Sequence, residues 1–167
     1  MIVEDDPMVA EFNKRYLNQV DGYELTAVCS SVEQALNVLE NQRIGLVLLD
    51  IFMPGKNGLD LLSQIRESEK EIDVIVISAA SDIERIQKAL RLGAVDYLIK
   101  PFEFDRFNAA LSAYRNKSDF IQDKNMLNQE ELDYRILHQE EIHLPEELPK
   151  VIISRYLKDY MECDTGI

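Results

Sequence analysis

The chain has two cysteines and two histidines in 167 residues, and none of them has a useful neighbour. Cys29 and Cys163 cannot build a disulfide framework, and His138 and His143 match no zinc-ligand spacing. Cys29 lies in a strand-like run and reads as a small buried apolar residue. No stretch approaches the roughly 18 apolar residues of a membrane span. No basic-then-apolar leader opens the chain, so a cytoplasmic location with no membrane partner is expected. Basic residues are few: 18 Lys+Arg stand against 31 Asp+Glu, a formal net charge of −13. They form no block, and a chain this acidic repels nucleic acid and anionic lipid. Apolar residues, at 46%, suffice for a core, and the length suits one ordinary domain plus an extension.

The first 116 residues alternate strand and helix patterns. Met1 to Glu4 reads as a clipped strand. Asp6 then suits an N-cap and Pro7 a first helical position, for a helix to about Gln19. Tyr23 to Cys29 is the second strand. Ser30 with Glu33 reads as a capping box for a helix to about Asn41. The run Ile44-Gly45-Leu46-Val47-Leu48-Leu49 is short, branched and apolar, which predicts a strand buried on both faces. A helix follows from Gly58 to about Glu69, then a strand over Val74–Ile77. Ser81 with Glu84 reads as a second capping box, for a helix that Gly93 ends. Val95 to Ile99 is the fifth strand, and Phe104, Phe107, Leu111 and Tyr114 recur at helical spacing. Five such alternations predict a flavodoxin-like α/β domain whose five-stranded parallel sheet has the order 2-1-3-4-5.

In that order the first and third strands are neighbours, and ligands bind where the winding reverses between them. Their carboxyl ends carry Glu4-Asp5-Asp6 and Asp50. The fourth strand ends at Ser78 and the fifth at Lys100-Pro101, a peptide that admits the cis form. Crowded carboxylates repel by about 4 kcal/mol per pair at 4 Å and an effective dielectric near 20. A divalent cation and one lysine would neutralise Asp5, Asp6 and Asp50 together. Hard oxygen donors with open positions suit Mg²⁺, which accepts phosphate oxygens as well. The chemistry this implies is attack by the Asp50 carboxylate on a phosphoryl donor. Ser78 and the backbone N–H of Ala79 would hydrogen-bond the phosphoryl oxygens. A helix cap alone would account for Asp5-Asp6 before Pro7, but not for Asp50 and Lys100.

Glu4-Asp5-Asp6, Leu49-Asp50 with Met53-Pro54 and Gly58, Val76-Ile77-Ser78-Ala79, and Asp96 through Phe102 together resemble the receiver domain of two-component response regulators. The resemblance covers residues 1–116, its motifs in order at strand ends. It implies that Asp50 is the phosphoacceptor, fed by a sensor histidine kinase, and that Lys100 is the essential lysine. It implies that Mg²⁺ is held by Asp5, Asp6, Asp50 and the backbone carbonyl of Phe52, and that Ser78 and Tyr97 form a switch pair. On phosphorylation Ser78 would move toward the phosphoryl group and Tyr97 would turn inward. That would remodel the face of the fourth helix, fifth strand and fifth helix, a surface for homodimers or partner exchange. Phe52 and Ala80 flank the site without a side chain that could orient water, so slow self-dephosphorylation is expected.

The stretch Asp50 to Gly58 further resembles regulators paired with citrate- and C4-dicarboxylate-sensing kinases, which act in transcription. Leu144 to Lys150 is similar to the linker before their DNA-binding effector. Residues 117–167 carry 6 Lys+Arg against 12 Asp+Glu. They are expected to form an acidic helical extension, a second possible dimer contact, with the effector absent or cut short. DNA would be reached only through such an effector. A stand-alone receiver acting by protein contact is the alternative. An aspartate-nucleophile phosphohydrolase would want a second Asp two residues after the nucleophile, where Phe52 stands. A flavin-binding module would want a Ser/Thr/Gly phosphate loop where Asp5-Asp6-Pro7 stands. The expected molecule is therefore a switch that promotes only its own Mg-dependent phosphorylation and dephosphorylation.

Overall fold

The computed structural model describes residues 1–53, 57–68, 70–79 and 81–123, with side chains through residue 118. Expectations for the tail beyond Asp123, for Pro54 to Lys56 and for Ala80 lie outside the described residues.

The elements alternate as the pattern predicts: β1 (Ile2–Val3), α1 (Pro7–Leu17), β2 (Val28–Cys29), α2 (Val32–Asn41), β3 (Leu46–Leu49), α3 (Gly58–Glu67), β4 (Asp73–Ser78), α4 (Ile83–Arg91), β5 (Asp96–Ile99) and α5 (Phe104–Asp123). All strand pairs are parallel, and the sheet order is β2-β1-β3-β4-β5. The helix α5 runs past residue 116 to Asp123, so the expected boundary falls inside it.

Side-chain alternation along buried strands makes two cores. Val3, Val47, Leu49, Val74 and Val76 pack with Val32, Ala35, Leu61, Leu62, Ile65 and Ala89 from α2, α3 and α4. Ile2, Leu48, Ile75, Ile77 and Leu98 pack on the other face with Leu17, Phe107 and Leu111 from α1 and α5. The near-continuous apolar run of β3 is the direct consequence, since both of its faces are covered.

Local signals differ in places. The second strand is only Val28–Cys29, not Tyr23–Cys29. Tyr23 instead turns its hydroxyl to donate to Leu111 O at 2.6 Å. Both expected capping boxes shift by one residue. The cap of α2 is Ser31, whose Oγ accepts from Gln34 N–H at 3.3 Å, while Ser30 bonds the Gln34 side chain. The cap of α4 is Asp82, whose Oδ1 accepts from Arg85 N–H at 3.0 Å. In each case two cap-forming residues adjoin, and one residue decides which N–H group faces which oxygen.

Gly93 ends α4 at φ +80°, as expected. Gly58 is required for a different reason: a Cβ there would lie 2.3 Å from Asp50 O and 2.7 Å from Ile51 Cα. The first turn of α3 thus sits directly against the end of β3.

Candidate functional site

Register brings the site together. Ile2 and Val3 pair with Leu48 and Leu49, so the next residues, Glu4 and Asp50, leave the sheet side by side. The Asp50 N–H donates to Val3 O and the Glu4 N–H to Cys29 O, each at 2.9 Å, so both tips are held by the ladder. Glu4 is 3% exposed and Asp50 7%. On the far side Ser78 pairs with Ile99, and the Lys100 N–H donates to Ser78 O at 2.9 Å. The Lys100–Pro101 peptide is cis.

Lys100 reaches back across the strand ends. Its Nζ donates to Asp50 Oδ2 at 2.6 Å and to Glu4 Oε2 at 2.7 Å. Asp50 Oδ1 accepts from Ser78 Oγ at 2.9 Å and from the Phe52 N–H at 2.8 Å. Both carboxylate oxygens are therefore held by charge-assisted bonds, which fix the direction of the Asp50 carboxylate. Ser78 is fully buried, whereas Ala79 is exposed just beyond β4. Tyr97 is half-buried and hydrogen-bonded to Ser78, so its ring already points toward the site.

The electrostatics follow from burial. Desolvation raises the Glu4 pKa above the ordinary glutamate value, against the pull of the Lys100 bond. Burial also opposes the charge on Lys100, but its bonds to Asp50 and Glu4 outweigh it, and the lysine pKa lies above its usual value. Burial raises the Tyr97 phenol, helped by the nearby Asp82 and Asp50 charges, so it is a neutral hydrogen-bonding group near pH 7.

The pairing of Asp5 with Asp6 is revised on this geometry. Asp6 is exposed and caps α1, its Oδ1 accepting from the Met8 and Val9 N–H groups at 2.8 and 3.2 Å. The acid that shares Lys100 with Asp50 is Glu4. Asp5 lies partly exposed beside it, lining with Glu4, Glu11, Lys14 and Gln34 a cleft of about 330 Å³. Among the described residues no three acidic, histidine or cysteine side chains are gathered around one point. Between Glu4 and Asp50 stands the Lys100 ammonium. Strand parity carried the missed signal: Glu4 follows Ile2 by two, as Asp50 follows Leu48 by two.

Two further contacts escaped the sequence reading. Arg106 forks onto Asp96 at 2.9 and 2.7 Å, bracing the start of β5. The Arg85 guanidinium lies 4.6 Å above the centre of the Phe52 ring.

Residues 1–112 match the response regulator receiver domain family. The chain belongs to that family. This receiver is 52% identical over 158 residues to the transcriptional regulatory protein MalR of Bacillus subtilis (strain 168), covering 95% of the chain and 67% of that protein. It is 40% identical over 162 residues to the transcriptional regulatory protein DcuR of Escherichia coli (strain K12), again covering 95% of the chain and 67% of that protein. The chain thus spans about two thirds of the length of these relatives. Among solved structures it is similar to the CheX–CheY–BeF3–Mg²⁺ complex from Borrelia burgdorferi, with a TM-score of 0.64 at 26% identity, covering 68% of the chain and 85% of that one. The receiver is a phosphorylation-activated switch of the two-component type, a signalling protein rather than a conventional enzyme. Response regulators of this family receive their phosphoryl group from sensor histidine kinases. Among the described residues no helix is long and apolar enough to cross a membrane.

Proposed function

We propose that this receiver takes a phosphoryl group on Asp50, and that it is the regulatory part of a transcription regulator responding to a dicarboxylate-sensing kinase. One observation carries the site assignment. Asp50, alone at the end of β3, is clamped by Lys100, Ser78 and the Phe52 N–H, so one of its oxygens can attack with little loss of orientation. The attacking oxygen forms the new bond to phosphorus as the donor's leaving group departs with its electron pair. Lys100 and Ser78, now on the carboxylate, are placed to follow the charge onto the phosphoryl oxygens, with the Ala79 N–H as a further donor.

The donor set suits Mg²⁺. Glu4, Asp5 and Asp50 are hard oxygen ligands; Glu4 and Asp50 share one lysine, and Asp5 stands next to Glu4 at the same strand end. These three, with the Phe52 carbonyl, would hold the cation, Glu4 taking the place first given to Asp6. Bound Mg²⁺ supplies positive charge where negative charge builds on the transferring group. Self-phosphorylation and self-dephosphorylation would depend on it.

Output would pass through Ser78 and Tyr97 to the surface of α4, β5 and α5, where Ile83, Leu90, Val95 and Ile99 are exposed. That surface is the proposed homodimer face, with the acidic extension as a second contact. Met8, 82% exposed, and Phe12 on α1 flank the acidic tip of β1 and suit docking of the kinase. The receiver proper is assigned to residues 1–116, with 117–167 leading toward a DNA-binding effector as in relatives whose names mark them as transcriptional regulators. The setting would be the cytoplasm, where a kinase and DNA are both within reach.

The experiment is incubation of the chain with Mg²⁺ and acetyl phosphate, followed by intact mass. One added phosphoryl group is expected, absent in Asp50→Asn and after chelation. A wild-type mass that does not change, or a gain that persists in Asp50→Asn, overturns the assignment.

A further inference from the structure

The contact between Arg85 and Phe52 joins the two segments that border Asp50. Phe52 follows the phosphoacceptor by two residues, and its backbone N–H is tied to Asp50 Oδ1 at 2.8 Å. The residue is nevertheless 45% exposed, so burial does not hold its ring in place. What lies over it is the Arg85 guanidinium, 4.6 Å from the ring centre, from the first turn of α4. Arg85 is itself restrained. Asp82, the cap of α4, accepts the Arg85 backbone N–H on Oδ1 at 3.0 Å and its Nη1 on Oδ2 at 3.4 Å. The Tyr97 hydroxyl lies within the electrostatic field of Asp50, Asp82 and Arg85, so the arginine stands near the same charges as the site. A guanidinium stacked on an aromatic face is a favourable pairing even in water, and arginine presents a flat cation suited to it.

We propose that Arg85 is a positioning residue for the aspartyl phosphate: by clasping the Phe52 ring it screens the site from attacking water and sets the lifetime of the phosphorylated state. The inference rests on the assignment of Asp50 as phosphoacceptor. In the step it slows, a water oxygen attacks phosphorus opposite the ester oxygen. The bond from phosphorus to Asp50 breaks, the carboxylate leaves with the electron pair, and one water proton passes to solvent as inorganic phosphate forms. An apolar ring without donors or acceptors cannot orient that water, and a ring held in place also limits its approach. Freed from Arg85, the ring would swing and open the path. The effect expected is the rate equivalent of an exposed cation–π contact, about two- to fivefold.

The test phosphorylates the full chain with acetyl phosphate and Mg²⁺, removes the donor by desalting, and follows decay by intact mass. Arg85→Gln and Phe52→Leu should each decay about two- to fivefold faster than wild type. The double variant should be no faster than either single one, because both remove one clasp. Phe52→Trp, which keeps and enlarges the aromatic face, should decay no faster than wild type, although it changes bulk more than leucine does. Ring bulk alone would give the same order at Phe52 but leave Arg85→Gln at the wild-type rate, and that result overturns the clasp. Unchanged decay in both single variants, or effects that multiply in the double variant, overturns the clasp while leaving Asp50 as phosphoacceptor. If wild type gains no phosphoryl group, or Asp50→Asn gains one, the functional assignment falls and the clasp with it.

Discussion

Removing the cation between two buried acids is the sharpest test of the site's electrostatics. Lys100 Nζ lies 2.6 Å from Asp50 Oδ2 and 2.7 Å from Glu4 Oε2, so those oxygens are at most the sum of these contacts apart. Lys100→Met keeps most of the length of the side chain and deletes its charge. The two carboxylates then face each other at about 5 Å, a repulsion of about 3 kcal/mol at an effective dielectric near 20. The lost bonds act in the same direction, since stripping one partner from a buried ion pair costs about 3–5 kcal/mol. We expect the variant to be less stable by about 3 kcal/mol in chelator and low salt, read as a lower urea midpoint by circular dichroism. Two conditions should restore it. Adding Glu4→Gln removes one of the opposing charges while keeping an acceptor for the Asp6 N–H, which Glu4 Oε1 now bonds at 3.3 Å. Adding millimolar Mg²⁺ supplies a replacement cation, if the same acids hold it. Mildly acidic buffer should also help, because burial already raises the Glu4 pKa and the variant no longer has the lysine that opposes that rise. An unchanged midpoint in Lys100→Met, or a double variant as unstable as the single one, would refute this account.

Two other outcomes follow from single contacts. Gly58→Ala should lower stability by about 3 kcal/mol and slow phosphorylation of Asp50, because a Cβ 2.3 Å from Asp50 O can be relieved only by moving backbone; an alanine variant with a wild-type urea midpoint would contradict the packing. The Met1 amine donates to Leu46 O at 2.9 Å, and burial lowers its pKa from 8.0 to about 6. The folded chain therefore binds fewer protons than the unfolded chain between those values, so stability should rise by about 2–3 kcal/mol from pH 6 to pH 8 and level off outside that window. Acetylating the amine should flatten that slope, measured by urea titrations across the window.

The parts read correctly from the chain were those in which one residue type has one physical use. A branched apolar run ending in a lone carboxylate can hardly be other than a buried strand with Asp50 at its tip. Lys100 before Pro101 closes β5, and Gly93 closes α4, for equally local reasons. Legibility failed where neighbours of like chemistry compete. Ser30 and Ser31, or Ser81 and Asp82, are both able caps, and the helix axis set by packing selects the second of each pair. The acidic triplet failed in the same way. Strand parity puts Glu4 on the face of Ile2, but only the β1–β3 register sets it beside Asp50, while α1 takes the oxygen of Asp6 for its first turn.

Composition and pattern alone determined the class of fold, the strand order and the identity of Asp50, Ser78 and Lys100 as the residues at strand ends, because alternation and apolar runs are properties of consecutive residues. Only the tertiary structure decided that Glu4 shares the lysine with Asp50 and that Arg85 covers Phe52. Both depend on how distant segments align: the β1–β3 register in the first case, the approach of α4 to the end of β3 in the second. Alignment of that kind is set by the packing of both cores at once, and no local run of residues encodes it.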